Sequence, residues 1–149
     1  MTDETVYDAA GGREALVALA HAWHRRCLDD PMASHPFSHP GQHPQHVERL
    51  AAYWAEALGG PADFSATMSD HTSVMRMHAG NGEHQELDAR VIELFVLAMD
   101  DADVPERVRP VLESYFREMT TVMGAFPSSA DDVPAELAFP HWSWAGPVD

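Results

Sequence analysis

The sequence predicts an all-α fold. Apolar residues recur at three- and four-residue intervals in four long segments, no stretch alternates apolar and polar residues for long, and Gly and Pro cluster between the periodic segments. At 149 residues, 45% hydrophobic and 22% charged, the chain has the size and composition of one globular core.

Taken in order, a short N-terminal lead ends at Gly11-Gly12. Arg13 to Leu28 then carries Leu16, Leu19, Ala20, Trp23 and Cys27 at helical spacing, closed by Asp29-Asp30-Pro31. Met32 to Pro44 holds Pro36, Pro40, Gly41 and Pro44, so it reads as a connecting segment. Pro44 suits the first turn of a helix reaching Leu58, with Val47, Leu50, Ala51, Trp54 and Leu58 as its apolar stripe and Gly59-Gly60-Pro61 as its stop. Between Ala62 and Gly82 a single short, poorly regular helix is expected. Glu83 to Met99 is a strong amphipathic helix, and Pro105 opens another through Val108, Leu112, Tyr115, Phe116, Met119 and Val122. Residues 1–124 thus form the helical domain. Residues 125–149 form a Pro- and Ser-rich C-terminal extension whose Phe139, Trp142 and Trp144 are apolar anchors expected to dock on it.

Charge narrows the function classes. There are 24 acidic against 9 basic residues, all of the latter Arg, for a net charge of −15. Such a field repels nucleic acid and anionic membranes. The absence of Lys excludes Schiff-base chemistry and the usual phosphate-binding loop. Cys27 stands alone, so no internal disulfide or thiolate zinc cage can form, and a reducing, cytoplasmic setting is expected. The N-terminus has no signal-peptide pattern, and nothing approaches the roughly 18 apolar residues of a membrane span.

The ten histidines are the anomaly. His35, His39, His43 and His46 fall within twelve residues, which suggests a divalent-metal loop. Three prolines keep that stretch extended, however, and only His43 and His46 could share a helical face, short of three convergent ligands. A solvated histidine-rich loop fits the same residues.

The order of the pieces says more. Tyr7-Asp8-Ala9-Ala10-Gly11-Gly12, Asp30-Pro31, Glu48-Arg49-Leu50, Gly59-Gly60-Pro61 and the His71 to Met77-His78-Ala79 segment follow one another at set spacing. In these elements the chain, from Thr5 to Met123, resembles the truncated haemoglobins of group II. The resemblance implies a 2-on-2 helical sandwich holding haem b, with a C-terminal tail added here. It implies His78 as the proximal iron ligand, Phe37 as the aromatic wedge against the macrocycle, His46 on the distal side and Arg49 pairing with a propionate. His46, Leu50 and Tyr53 share a helix face, so Leu50 and Tyr53 are expected to line the pocket, with Trp54 and Val91 also around the group. By periodicity alone, Leu50 and Tyr53 are equally ordinary core residues.

The chain also departs from the group's pattern. His24 stands where a distal Tyr is usual, after an aromatic that Trp23 matches. Val91 replaces a Trp that would donate to ligand, and Gly80-Asn81 replaces Pro-Phe after the proximal histidine, suggesting a looser proximal loop. His24 and His46 are therefore the candidate distal donors. The function implied is coordination of O2, NO or CO on iron, with peroxidase-like or NO dioxygenase-like redox chemistry as an extension. No flavin or nicotinamide fingerprint is present, so turnover would need a separate reductase. Monomer and homodimer both remain open. The alternative is a haem-free helical protein using its histidine loop for metal or its tail for protein contact. A Ser-His-Asp hydrolase finds no G-x-S-x-G elbow.

Overall fold

Thr5 opens the first helix by accepting the Asp8 N–H at its hydroxyl, 3.0 Å away. The computed structural model describes residues 4–34 and 45–148. Helix α1 (Val6–Ala10) ends at Gly11, whose φ of 112° lets the chain turn directly into α2 (Gly12–Asp29). The expected N-terminal lead is therefore itself helical, and Gly12 begins the next helix. Any side chain at Gly11 would also strike Ala15, at 2.8 Å.

Asp30 terminates α2 and is buried. Its carboxylate accepts the N–H groups of Met32 and Ala33 and the guanidinium of Arg90. Helix α3 (His46–Ala57) follows. The segment expected to hold one irregular helix holds two, α4 (Asp63–Thr67) and α5 (His71–His78). Each has its own polar fastener, which explains the division. Buried Glu56 takes both the N–H and the hydroxyl of Ser65, while Asp70 caps α5 by accepting the Ser73 N–H at 2.7 Å.

Helix α6 (Gln85–Asp101) leads through a 3-10 turn (Glu106–Val108) into α7 (Arg109–Met123), so Pro105 precedes the turn and Pro110 occupies the first turn of the helix proper. A second 3-10 turn covers Ala130–Asp132. The tail then forms a two-stranded antiparallel hairpin, β1 (His141–Ser143) with β2 (Gly146–Val148), which the poor strand signal did not predict. Three-residue strands are too short to show alternation.

Helix α2 is the hub, packing on both α3 and α6, and α6 packs on α7. Four aromatics meet between them. Phe95 and Phe116 stack at 4.1 Å, Trp54 meets Phe95 edge-on at 5.6 Å, and Trp23 meets Phe116 edge-on at 5.2 Å. Such pairs add about 0.5 to 1.5 kcal/mol each beyond the area they bury. This cluster fixes α2, α3, α6 and α7 as a rigid frame. Helix α5 stands outside it.

Candidate functional site

His78 is the last residue of α5, and its Nδ1 lies 2.8 Å from the Val74 carbonyl. A carbonyl oxygen only accepts, so Nδ1 carries the proton and Nε2 presents its lone pair. The side chain is reachable by solvent, yet the protein around it lowers its pKa by desolvation, with the Val74 hydrogen bond pulling the other way and His84 adding a smaller lowering effect. At neutral pH the ring is an oriented, neutral imidazole with one nitrogen open, the form a metal centre takes up.

Two further imidazoles meet elsewhere in the structure. His24 on α2 and His46, the first residue of α3, lie with ring centroids 5.8 Å apart and planes at 52°. Both are half-buried, and Leu50, one turn along α3 from His46, packs partly on the core. Helices α2 and α3, the most closely packed pair of helices among the described residues, bring the two candidate distal donors side by side.

Tyr53 is buried, and its hydroxyl is 2.8 Å from Nδ1 of His71, the first residue of α5. Trp54 points into the aromatic cluster. Val91 is half-buried, and its carbonyl accepts the indole N–H of Trp23 at 3.0 Å. Arg49 lies over the Phe64 ring at 5.9 Å and makes no ion pair among the described residues, whereas Arg26, Arg90, Arg107, Arg109 and Arg117 are all paired with carboxylates. Phe37 and the histidine-rich stretch from His35 to His43 lie outside the described residues. Among those described, no group of three or more His, Cys, Asp and Glu side chains could hold a metal ion, and no helix is long and apolar enough to cross a membrane.

A family model described as "Bacterial-like globin" matches residues 5–124. The chain belongs to that family. Solved structures place the fold of this globin among the truncated haemoglobins. The haemoglobin of Chloroflexus aurantiacus is 25% identical at a TM-score of 0.70, over 81% of this chain and 98% of that one. The group II truncated haemoglobin of Bacillus anthracis aligns at a TM-score of 0.73 and 18% identity, over 87% and 97% of the two chains. The group II 2-on-2 haemoglobin of Agrobacterium tumefaciens aligns at 0.64 and 22%, over 83% and 95%. No curated protein matches the chain.

The residues of this globin fit the group its family implies. A haem needs one open neutral imidazole, apolar walls and a cation for its propionates. His78 would supply the first through Nε2, Leu50 is a candidate for the second, and Arg49, with no ion pair among the described residues, is a candidate for the third. Helices α3 and α5 join through the Tyr53–His71 bond, while among the described residues their backbones do not pack closely along their lengths. His46 is seven residues from Tyr53, and His78 is seven from His71, so each stands about 10 Å along its helix from that joint.

Sequence reasoning missed three features. His71 was a motif element without a role, and only its position beside a capping Asp hinted at a helix start. Phe139 was an unplaced anchor, yet it packs on Tyr53 at 4.8 Å, Phe64 at 6.0 Å and His71 at 6.3 Å. The N–H of Gly80 and that of Gly82 donate to the carbonyls of Phe126 and Pro127, both at 2.9 Å, so the loop expected to be loose is tied to the tail. No single-chain pattern signals a contact across so many residues.

Proposed function

We propose that this globin binds haem b between α3 and α5 with His78 as its proximal ligand, and coordinates a diatomic gas on the opposite side. The observation that carries the reading is the Nδ1 contact of His78 with the Val74 carbonyl, which commits the ring to the tautomer with Nε2 open. When bound, haem iron supplies the coordination site for O2, NO or CO and a centre for electron transfer. The chain supplies orientation and polarity. Val74 holds the His78 ring, Leu50 and Tyr53 contribute to the wall, and Arg49 meets a propionate. Trp54 braces α3 from the core side, Val91 leaves space where an indole would stand, and Phe37 is the aromatic wedge. His24 and His46, whose rings lie 5.8 Å apart, are the imidazoles whose N–H would donate to the ligand and stabilise negative charge on it.

An imidazole on the distal side can also take or give a proton, so peroxidase-like or NO dioxygenase-like chemistry lies within reach of the same residues. Such turnover draws electrons from a separate reductase. The globin domain is residues 1–124, with residues 125–149 as its extension. The test is titration of the purified protein with haemin, followed by the visible spectrum. A sharp Soret band reaching its end point at one haemin per chain is the expected result, and a featureless titration overturns the reading.

A further inference from the structure

Helix α5 is the least supported helix of the site. It has eight residues, about two turns, too few to be stable without tertiary contacts. Among the described residues, the element packed most closely on it is the 3-10 turn Ala130–Asp132 of the tail, rather than another helix.

The tail engages α5 at both ends. After His78, the chain turns through Gly80 and Gly82, with φ of 78° and 71°, and both N–H groups donate to tail carbonyls at 2.9 Å. A proline at position 80 would have no N–H to give. At the opposite end, the Leu137 N–H donates to Oγ1 of Thr72 at 2.8 Å, and Phe139 closes over the Tyr53–His71 pair. Thr72 is buried, so its hydroxyl oxygen is a rigid anchor point.

Beyond α5 the tail is fastened again. Trp142 is buried with its ring edge-on to Tyr115 at 5.6 Å, and the Trp144 indole donates to the Glu4 carbonyl at 2.8 Å beneath the Arg107 guanidinium. The segment leaves α7, crosses the length of α5 and is moored on the far side. A strap held at both ends restrains what lies under it.

We propose that residues 125–148 clamp the proximal helix, making Thr72 and Phe139 positioning residues that set the placement of the His78 imidazole. This rests on the reading of His78 as the iron ligand. The loop after His78 and the first turn of α5 are both tied to the tail, so the ring at the end of that helix cannot tilt or withdraw independently of it. Haem retention and the strength of the bond from His78 to iron then depend on residues some 50 to 60 positions away in the chain.

The experiment compares wild type with Thr72→Val, which removes the acceptor while keeping the shape, with Phe139→Ala, and with the double variant. Two quantities are read in the haem-loaded protein: the rate of haemin transfer to excess apomyoglobin, and the iron–histidine stretching frequency of the ferrous form by resonance Raman. The clamp predicts transfer faster by roughly tenfold in the double variant, the scale of one or two lost contacts, together with a shifted stretching band. Thr72→Ser, which keeps the acceptor, should restore wild-type behaviour. Arg117→Ala, at an exposed position on α7 outside the strap, should leave the band in place. Wild-type transfer and an unshifted band in the double variant overturn the proposal.

If wild type takes up no haemin, the haem reading fails separately. The clamp is then decided by hydrogen exchange in the haem-free protein. Faster exchange of the α5 amides in the double variant, with α2 and α7 unchanged, supports it, and unchanged α5 protection overturns it.

Discussion

The Tyr53 hydroxyl and Nδ1 of His71 form a buried hydrogen bond of 2.8 Å that ties α3 to α5. Burial, with a smaller contribution from Glu56, raises the Tyr53 pKa, so the phenol stays protonated and is the donor. His71 is then the acceptor at Nδ1. The pair sets the separation of the two helices where Tyr53 and His71 meet.

Tyr53→Phe should destabilise the protein by about 1 to 3 kcal/mol, because it strands a buried imidazole nitrogen while removing little volume. Chemical denaturation of the haem-free protein measures this. A change within error would show that the bond is not a fastener.

Stability should also depend on pH through His71. Burial lowers its pKa in the folded protein, with Asp70 opposing in part. Below the ordinary imidazole value the unfolded chain binds a proton that the folded chain does not, so stability falls as pH drops from about 7 toward 5. The loss levels off once pH is below the folded pKa. Thermal melts across this range should show a shallower slope in His71→Gln than in wild type, and equal slopes would contradict the assignment.

On the distal side, His24→Leu and His46→Leu should each speed dioxygen dissociation by about five- to tenfold, the equivalent of one hydrogen bond near 1 kcal/mol. Stopped-flow displacement of dioxygen by carbon monoxide gives the rates. Unchanged rates in both variants would show that neither imidazole reaches the ligand.

The hydroxyl of Tyr115 is buried with no hydrogen-bond partner among the described residues. Tyr115→Phe removes an unsatisfied polar atom and keeps the ring contact with Trp142. Stability should stay within about 0.5 kcal/mol or rise. A clear loss would mean that the hydroxyl has a partner.

The long helices were legible because their apolar stripes repeat over about three turns or more, enough to reveal the period and the packed face. Leu16, Leu19, Trp23 and Cys27 on α2 are buried as that period requires. Helices α4 and α5 were not separable, since five and eight residues hold too few repeats and their boundaries depend on Glu56 and Asp70 reaching backbone N–H groups. The hairpin escaped for the same reason of length. For the site, helix-face arithmetic placed His46, Leu50 and Tyr53 together, but it could not tell that Tyr53 turns its hydroxyl to His71. The tail contacts of Thr72, Gly80 and Gly82 join residues more than 40 positions apart, beyond the reach of local patterning.

Whether His78 is the axial ligand is decided by His78→Gly with added imidazole. The resonance Raman spectrum of the ferrous haem-loaded variant should lack the wild-type iron–histidine band and regain an iron–imidazole band when imidazole is supplied. A wild-type band in His78→Gly without imidazole would mean that another side chain holds the iron and that His78 is not its ligand.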